Sequence, residues 1–253
     1  MGKYADLHTH TTASDGTNAP GENVRLALEA GLSGIAITDH DTVRGLKEAM
    51  DEGKKLGIEV IPGVEISTSF NGKSIHILGY YMDHQSDEFL SRLEQLRDVR
   101  SQRNERMIEK LRQLGFPISV EEVRKHAAKQ GAKDETLGRP HIAHYMLEKG
   151  YVSSVKEAFD RYLGSGGLAF VSIDRIHPFD AIDWIHQAGG CAVIAHPGLR
   201  RDDEIILEII RHGVDGIEVY HSDHTPTEEE KYWRLAEQYG LIVTAGSDFH
   251  GER

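Results

Sequence analysis

The chain has 253 residues, 39% of them hydrophobic and 28% charged, with one cysteine and a formal charge of −12. That length fits one large α/β domain or one barrel with an insertion, and the composition is that of a globular protein. No apolar run reaches the roughly 18 residues that a membrane span needs, and the negative charge argues against a nonspecific nucleic-acid coat protein.

A strand is expected at 4–8, so close to the first residue that no signal peptide is read. A helix follows at 21–30, stopped by Gly31, then a strand at 34–38, a helix at 42–56 and a strand at 57–63. Asn71-Gly72 reads as the turn of a hairpin between Ile66–Phe70 and Ser74–Tyr81. The middle changes character, with no convincing strand and helices expected at 86–114, 119–129, 139–149 and 153–162. After His186 the alternation resumes: strand 190–195, helix 202–212, strand 215–220, helix 226–239, strand 241–246. Strands alternating with helices imply βαβ units and a largely parallel sheet. The expected organisation is a barrel built from 1–84 and 169–253, with 85–168 as a helical insertion over its mouth. Cys191, among Ala192, Val193 and Ile194, reads as a core residue, and a single thiol suits a reducing cytoplasm.

Metal-capable side chains fall at the ends of these strands. His8 and His10 follow Tyr4 to Leu7, Asp39-His40-Asp41 follows Gly34 to Thr38, and Glu65 follows Ile58 to Val64. His76 sits in the hairpin, His196 follows Cys191 to Ala195, and Asp248 and His250 follow Leu241 to Ser247. The C-terminal ends of parallel barrel strands converge on one face, so ligands scattered along the sequence would meet there. His8-Thr9-His10 places two imidazoles on one face of an extended segment, about 6.5–7 Å apart along the chain. Asp248-Phe249-His250 repeats that spacing. Asp39 or Asp41 would orient His40, or Asp41 would cap the helix expected from 42. Glu65 can bridge two cations, because a carboxylate has two oxygens. Asp6 and Asp15 are further acids in the same neighbourhood, with Asp15-Gly16 also readable as a turn. His8, His10, Asp15, His40, Glu65, His76, His196, Asp248 and His250 make nine candidate ligands. That exceeds what one ion uses and suits two or three. A set without thiolate favours Mn²⁺, Fe²⁺ or Zn²⁺ over a structural zinc site. His196, Asp248 and His40 are the candidates for handling protons in catalysis.

In the insertion, Phe89, Leu93, Leu96, Met107, Leu111 and Leu114 form a helical stripe with a gap. Arg100 and Arg103 fill that gap, either snorkelling to solvent or paired with carboxylates, or facing the barrel mouth to hold phosphate. Arg139 and His141 lie at a helix start, where anions are favoured. His221, after the strand at 215–220, is a candidate for positioning substrate.

Asp6-Leu7-His8-Thr9-His10, Thr38-Asp39-His40-Asp41, His196-Pro197 and Gly246-Ser247-Asp248-Phe249-His250 resemble the signature motifs of the PHP (polymerase and histidinol phosphatase) phosphoesterases. The resemblance implies a distorted (β/α)7 TIM-like barrel with a two- or three-metal site. It implies one metal on His8, His10, Glu65 and Asp248, a second sharing Glu65 with His76 and His196, and a third on Asp15, His40 and His250. Some members carry histidine where this chain has Asp15. The stretch from Asp6 to Gly16 and Gly138-Arg139-Pro140-His141-Ile142-Ala143 look most like the stand-alone branch of nucleoside 3′,5′-bisphosphate phosphatases and RNase AM-type 5′→3′ exoribonucleases. The resemblance thus implies hydrolysis of small nucleotide phosphates or short 5′-phosphorylated RNA. Histidinol-phosphate phosphatase, an amidohydrolase and a non-catalytic metal-binding module are the rival readings.

Overall fold

The computed structural model describes residues 4–129, 137–172, 175–199 and 202–251. Seven strands form one sheet in chain order: β1 (Ala5–Asp6), β2 (Gly34–Ile37), β3 (Glu59–Phe70), β4 (Lys73–Tyr80), β5 (Cys191–Ile194), β6 (Gly216–His221) and β7 (Ile242–Gly246). The sheet curls until its two ends meet. Leu7 N–H donates to Ala245 O at 3.0 Å and His10 N–H to Phe249 O at 2.8 Å. Around this nearly closed barrel run α1 (Pro20–Glu29), α2 (Leu46–Leu56), α7 (Pro178–Gln187), α8 (Asp203–His212) and α9 (Pro226–Tyr239). Between β4 and α7 lie α3 (Asp87–Gln113), α4 (Val120–Lys129), α5 (Arg139–Glu148) and α6 (Val155–Ala158).

The expected distorted barrel is present, and the distortion has a location. β4 runs antiparallel to both β3 and β5, while the other neighbouring pairs are parallel. β3 and the first arm of the hairpin are one continuous strand, so Glu65 sits mid-strand rather than at a strand end. Gly63 permits that continuity, since a Cβ there would lie 2.7 Å from Thr38 Cγ2. α2 begins at Leu46 rather than 42, after a turn entered by Asp41 in the left-handed region at φ 54°. The helix expected at 153–162 stops at Ala158 and continues as a π turn over Phe159–Leu163. α7 was not expected, although Pro178 at its first turn and the His177–Asp180 capping box announce it.

Register brings the ligand-type side chains together. His40 bridges Glu65 beyond the end of β2, and Ser67 pairs with His76 across the hairpin. Glu65 is two residues from Ser67, so it shares a face with His76 on the diagonal. A one-residue slip would turn this whole set away from the barrel axis. Below it, Ala36, Ile61, Leu78, Tyr80, Val193 and Ala195 form an apolar floor inside the barrel. α3 belongs to two cores. Phe89, Leu93 and Leu96 pack with the barrel and its helices, whereas Met107, Ile108 and Leu111 pack with α4, α5 and α6. Arg100 and Arg103 occupy the interval between those halves.

Candidate metal centre

All nine side chains expected as ligands converge at one end of the barrel, with Glu65 at their hub. His76 Nδ1 lies 2.7 Å and His196 Nε2 3.0 Å from Glu65 Oε1. His40 Nδ1 lies 2.8 Å, His10 Nε2 3.3 Å and His8 Nε2 3.6 Å from Oε2. Asp248 Oδ1 stands 3.4 Å from His8 Nε2 and 3.1 Å from His10 Nε2. Asp15 Oδ1 stands 3.3 Å from His250 Nε2. Among these nine, three sets have donor atoms mutually within 4.8 Å: His8, His10, Glu65 and Asp248; His10, Asp15, His40 and His250; and His40, Glu65 and His76. The first matches the set implied for one ion, and His10, His40 and Glu65 each belong to two of the three.

The donor atoms suit cations and little else. His8 Nε2, His10 Nδ1 and Nε2, His40 Nδ1, Glu65 Oε2 and His196 Nδ1 are buried with no hydrogen-bond partner among the described residues. An unsatisfied buried polar atom costs about 1–3 kcal/mol, so six in one cluster argue for cations bound among them. Charge points the same way. Burial would raise Glu65, yet His40, His76 and His8 hold it well below the usual carboxylate range. Burial pushes His76 down to about 3, leaving a neutral ring. Burial opposes protonation of His10, but Asp248 and Glu65 outweigh it and lift that ring to about 10. Without a cation the acids recruit protons. Mn²⁺ binding is therefore expected to release protons, and affinity to rise with pH up to about 10, where His10 loses its proton unaided. Calorimetry in buffers of different ionisation enthalpy reads both effects, and no net proton release would contradict the account. His196 and Asp248 also adopt left-handed backbone at φ 28° and 55°, strain that concentrates at functional sites.

The acids around this cluster divide differently from expectation. Asp39 does not touch His40: its oxygens accept from Thr11 N at 2.7 Å, Thr11 Oγ1 at 2.7 Å and Ser14 Oγ at 2.6 Å, tying down the loop that carries Asp15. Asp41 neither caps α2 nor orients His40. It accepts from Ser67 N at 2.7 Å and Arg100 Nη2 at 2.6 Å. Asp6 accepts from Ser247 N at 3.0 Å, fastening the end of β7 to β1. Sequence reasoning missed Glu218, which is fully buried, 3.1 and 3.2 Å from His8 Nδ1, and accepts from His196 N at 2.7 Å. An acid inside an otherwise apolar strand was its signal.

Beside His40 and His76 opens a cavity of about 180 Å³, lined by Asp15, Ser67, Arg100, Arg103, Arg139 and Arg175 among others. Arg100 is paired with Asp41 and Ser67, as one of its readings held, and still borders this space. Arg103 is 4% exposed and its guanidinium donates to Asn104 Oδ1, at 2.9 and 3.2 Å. Burial, with Arg100, Arg175 and Arg139 nearby, pushes it down to about 8. Arg139 stacks over Phe159 at 5.8 Å. Arg175 lies in a connection without pattern and gave no signal in sequence. His141 does not line this cavity; its Nδ1 accepts from Gly138 N at 2.8 Å. His221 lies apart from it, with Nε2 buried 3.9 Å from Asp248 Oδ2.

A family model described as PHP domain matches residues 6–164. A 5′-3′ exoribonuclease of Haemophilus influenzae is 38% identical, over 99% of this chain and 91% of its own. A 3′,5′-nucleoside bisphosphate phosphatase of Chromobacterium violaceum is 33% identical, over 97% of this chain and 86% of its own. A solved structure from Bifidobacterium adolescentis, described as a candidate metal-dependent phosphoesterase, superposes with a TM-score of 0.90 at 32% identity, over 99% of this chain and 89% of that one. The chain belongs to the PHP domain family.

Proposed function

We propose that this chain is a metal-dependent hydrolase of phosphate esters acting on nucleoside 3′,5′-bisphosphates and short 5′-phosphorylated RNA. One observation carries the substrate class: a chamber bordered by four arginines opens directly onto His40 and His76. Arg100, Arg139 and Arg175 repel Arg103, and a bound anion would offset that repulsion. A substrate with two phosphates answers both features, one phosphate over the His/Asp/Glu group and the other among the arginines. Guanidinium forks match phosphate oxygens bidentately. Histidinol phosphate offers a cationic amine where the arginines stand, which disfavours it.

The resident ions are two or three divalent cations, Mn²⁺ first, with Fe²⁺ or Zn²⁺ as alternatives. His8, His10, Glu65 and Asp248 would hold one; Glu65, His76 and His196 a second; Asp15, His40 and His250 a third. Such ions lower the pKa of bound water and neutralise phosphoryl oxygens. The chain's own residues do the rest. Arg100, Arg103, Arg139 and Arg175 bind the remote phosphate and fix the ester's direction. The apolar floor closes the cup from below. His40, His196 and Asp248 border the reacting position and are the groups that hold or pass its protons. No protein nucleophile is needed. None of the described helices is long and apolar enough to cross a membrane, and nucleotide substrates with a lone thiol suit the cytoplasm.

Assays with Mn²⁺ on adenosine 3′,5′-bisphosphate, 5′-phosphorylated oligoribonucleotide, histidinol phosphate and an amide test this reading. Turnover of the first two, with kcat/KM at least about tenfold above the others, is expected, since one charge-assisted contact is worth about that much. Preference for histidinol phosphate or the amide would overturn it.

A further inference from the structure

Outside the proposed ligands, β6 carries two further polar side chains, Glu218 and His221. Neighbours along a strand point to opposite faces, so Glu218 and His221, three apart, should face opposite ways. A bulge between Glu218 and Tyr220 breaks the alternation. Tyr220 turns outward, 45% exposed, while Glu218 and His221 both turn into the barrel. Gly246 on β7 makes room, because a Cβ there would meet Glu218 Oε1 at 2.4 Å and His8 Cβ at 2.3 Å.

His8, Glu218 and His221 come close enough to hold an ion on distance alone. Their protons argue otherwise. His8 Nδ1 sits against both Glu218 oxygens, and a carboxylate keeps that nitrogen as a donor. Its lone pair is therefore on Nε2, the atom that faces Glu65 and Asp248. His221 Nδ1 accepts from Asp223 N–H at 3.1 Å, so the neutral ring carries its proton on Nε2. That Nε2 has no partner and is sealed from solvent. It points to Asp248 Oδ2, whereas Asp248 Oδ1 faces His8, His10 and His250.

We infer that β6 supplies a supporting tier beneath the metal group, in which Glu218 fixes the ring of His8 and the His221 Nε2–H holds Asp248 through Oδ2. Both are positioning residues. A small rotation of the Asp248 carboxylate closes 3.9 Å to the 2.7–3.2 Å of a hydrogen bond. The inference rests on the proposed metal centre and adds what aims two of its ligands.

Mn²⁺ affinity of the whole chain, measured by competition with a fluorescent chelator, tests it. His221→Phe should weaken Mn²⁺ by about 10–100-fold, the usual cost of losing a partner of a metal ligand. His221→Gln places an amide N–H near the position of Nε2 and should stay within about threefold of the parent, well short of that loss. Glu218→Gln turns an N–H toward either His8 or the His196 amide and should weaken Mn²⁺ like the phenylalanine variant. KM at saturating Mn²⁺ and the melting temperature of the metal-free protein should hold for the two His221 variants. Should the phenylalanine variant not fold, His221→Asn carries the comparison, since its amide stops short of Asp248 and should bind weakly. Parent-like Mn²⁺ affinity in His221→Phe, equal losses in the phenylalanine and glutamine variants, or a drop confined to metal-free melting would overturn the inference alone. A parent that binds no Mn²⁺ would instead remove the metal centre on which it rests.

Discussion

Replacing His8 by alanine is expected to abolish hydrolysis and to strip metal from the protein at the same time. The ring is fully buried, and its Nε2 stands 3.6 Å from Glu65 Oε2 and 3.4 Å from Asp248 Oδ1. A single electrostatic donor in an active site is worth about 10²–10³ in rate, and losing the activated water should cost at least that much. The variant also leaves Glu218 without its imidazole partner, at about 1–3 kcal/mol, so the metal-free form should melt lower while remaining folded by circular dichroism. Elemental analysis and turnover measured on the same preparation check both. Full activity with no bound metal would contradict the proposal outright.

Arg103→Met is expected to spare stability and to weaken affinity. The wild-type guanidinium is buried, pushed down to about 8 by its burial and by Arg100, Arg175 and Arg139, and donates to Asn104. Replacing it with an uncharged chain of similar length relieves that repulsion. The relieved repulsion offsets the Asn104 Oδ1 left unpaired, so the anion-free protein should stay within about 1 kcal/mol of the parent, some 2–4 °C in Tm for a chain this size. The substrate's remote phosphate loses a charge-assisted contact worth about 1.5–3 kcal/mol, so KM should rise about 10–100-fold. Metal content should not change, and inorganic phosphate should raise Tm less than in the parent. Arg139→Ala should repeat the rise in KM with metal spared. Equal metal loss in either variant would refute the separation of arginine chamber from metal cup.

Much of this site could be read before any coordinates, because strand ends of a barrel share a face. His8, His10, His40, His196, Asp248 and His250 needed only that rule. His76 needed the hairpin as well, which Asn71-Gly72 announced. The readings that failed depended on local geometry that pattern does not encode. Asp41 looked like a helix cap, but α2 starts at Leu46 and the carboxylate is used by Ser67 and Arg100. Glu65 looked like a strand end because Pro62-Gly63 resembles a break, yet Gly63 is there for close approach to Thr38. Glu218 and His221 face inward together only through a bulge, which shifts the period of the strand without leaving a residue signature. Arg175 reaches the cavity from a connection with no periodicity at all. α7 was legible in principle, through Pro178 and the capping box, but its apolar stripe of Ala181, Ile182 and Ile185 is short.

The most direct test is an anomalous-difference map from crystals of the full chain soaked in Mn²⁺. The account predicts at least two strong peaks inside the cup, one within about 2.0–2.4 Å of His8, His10, Glu65 and Asp248 donor atoms and another sharing Glu65. An empty cup in crystals whose dissolved protein still hydrolyses adenosine 3′,5′-bisphosphate, or peaks only at surface carboxylates, would contradict it.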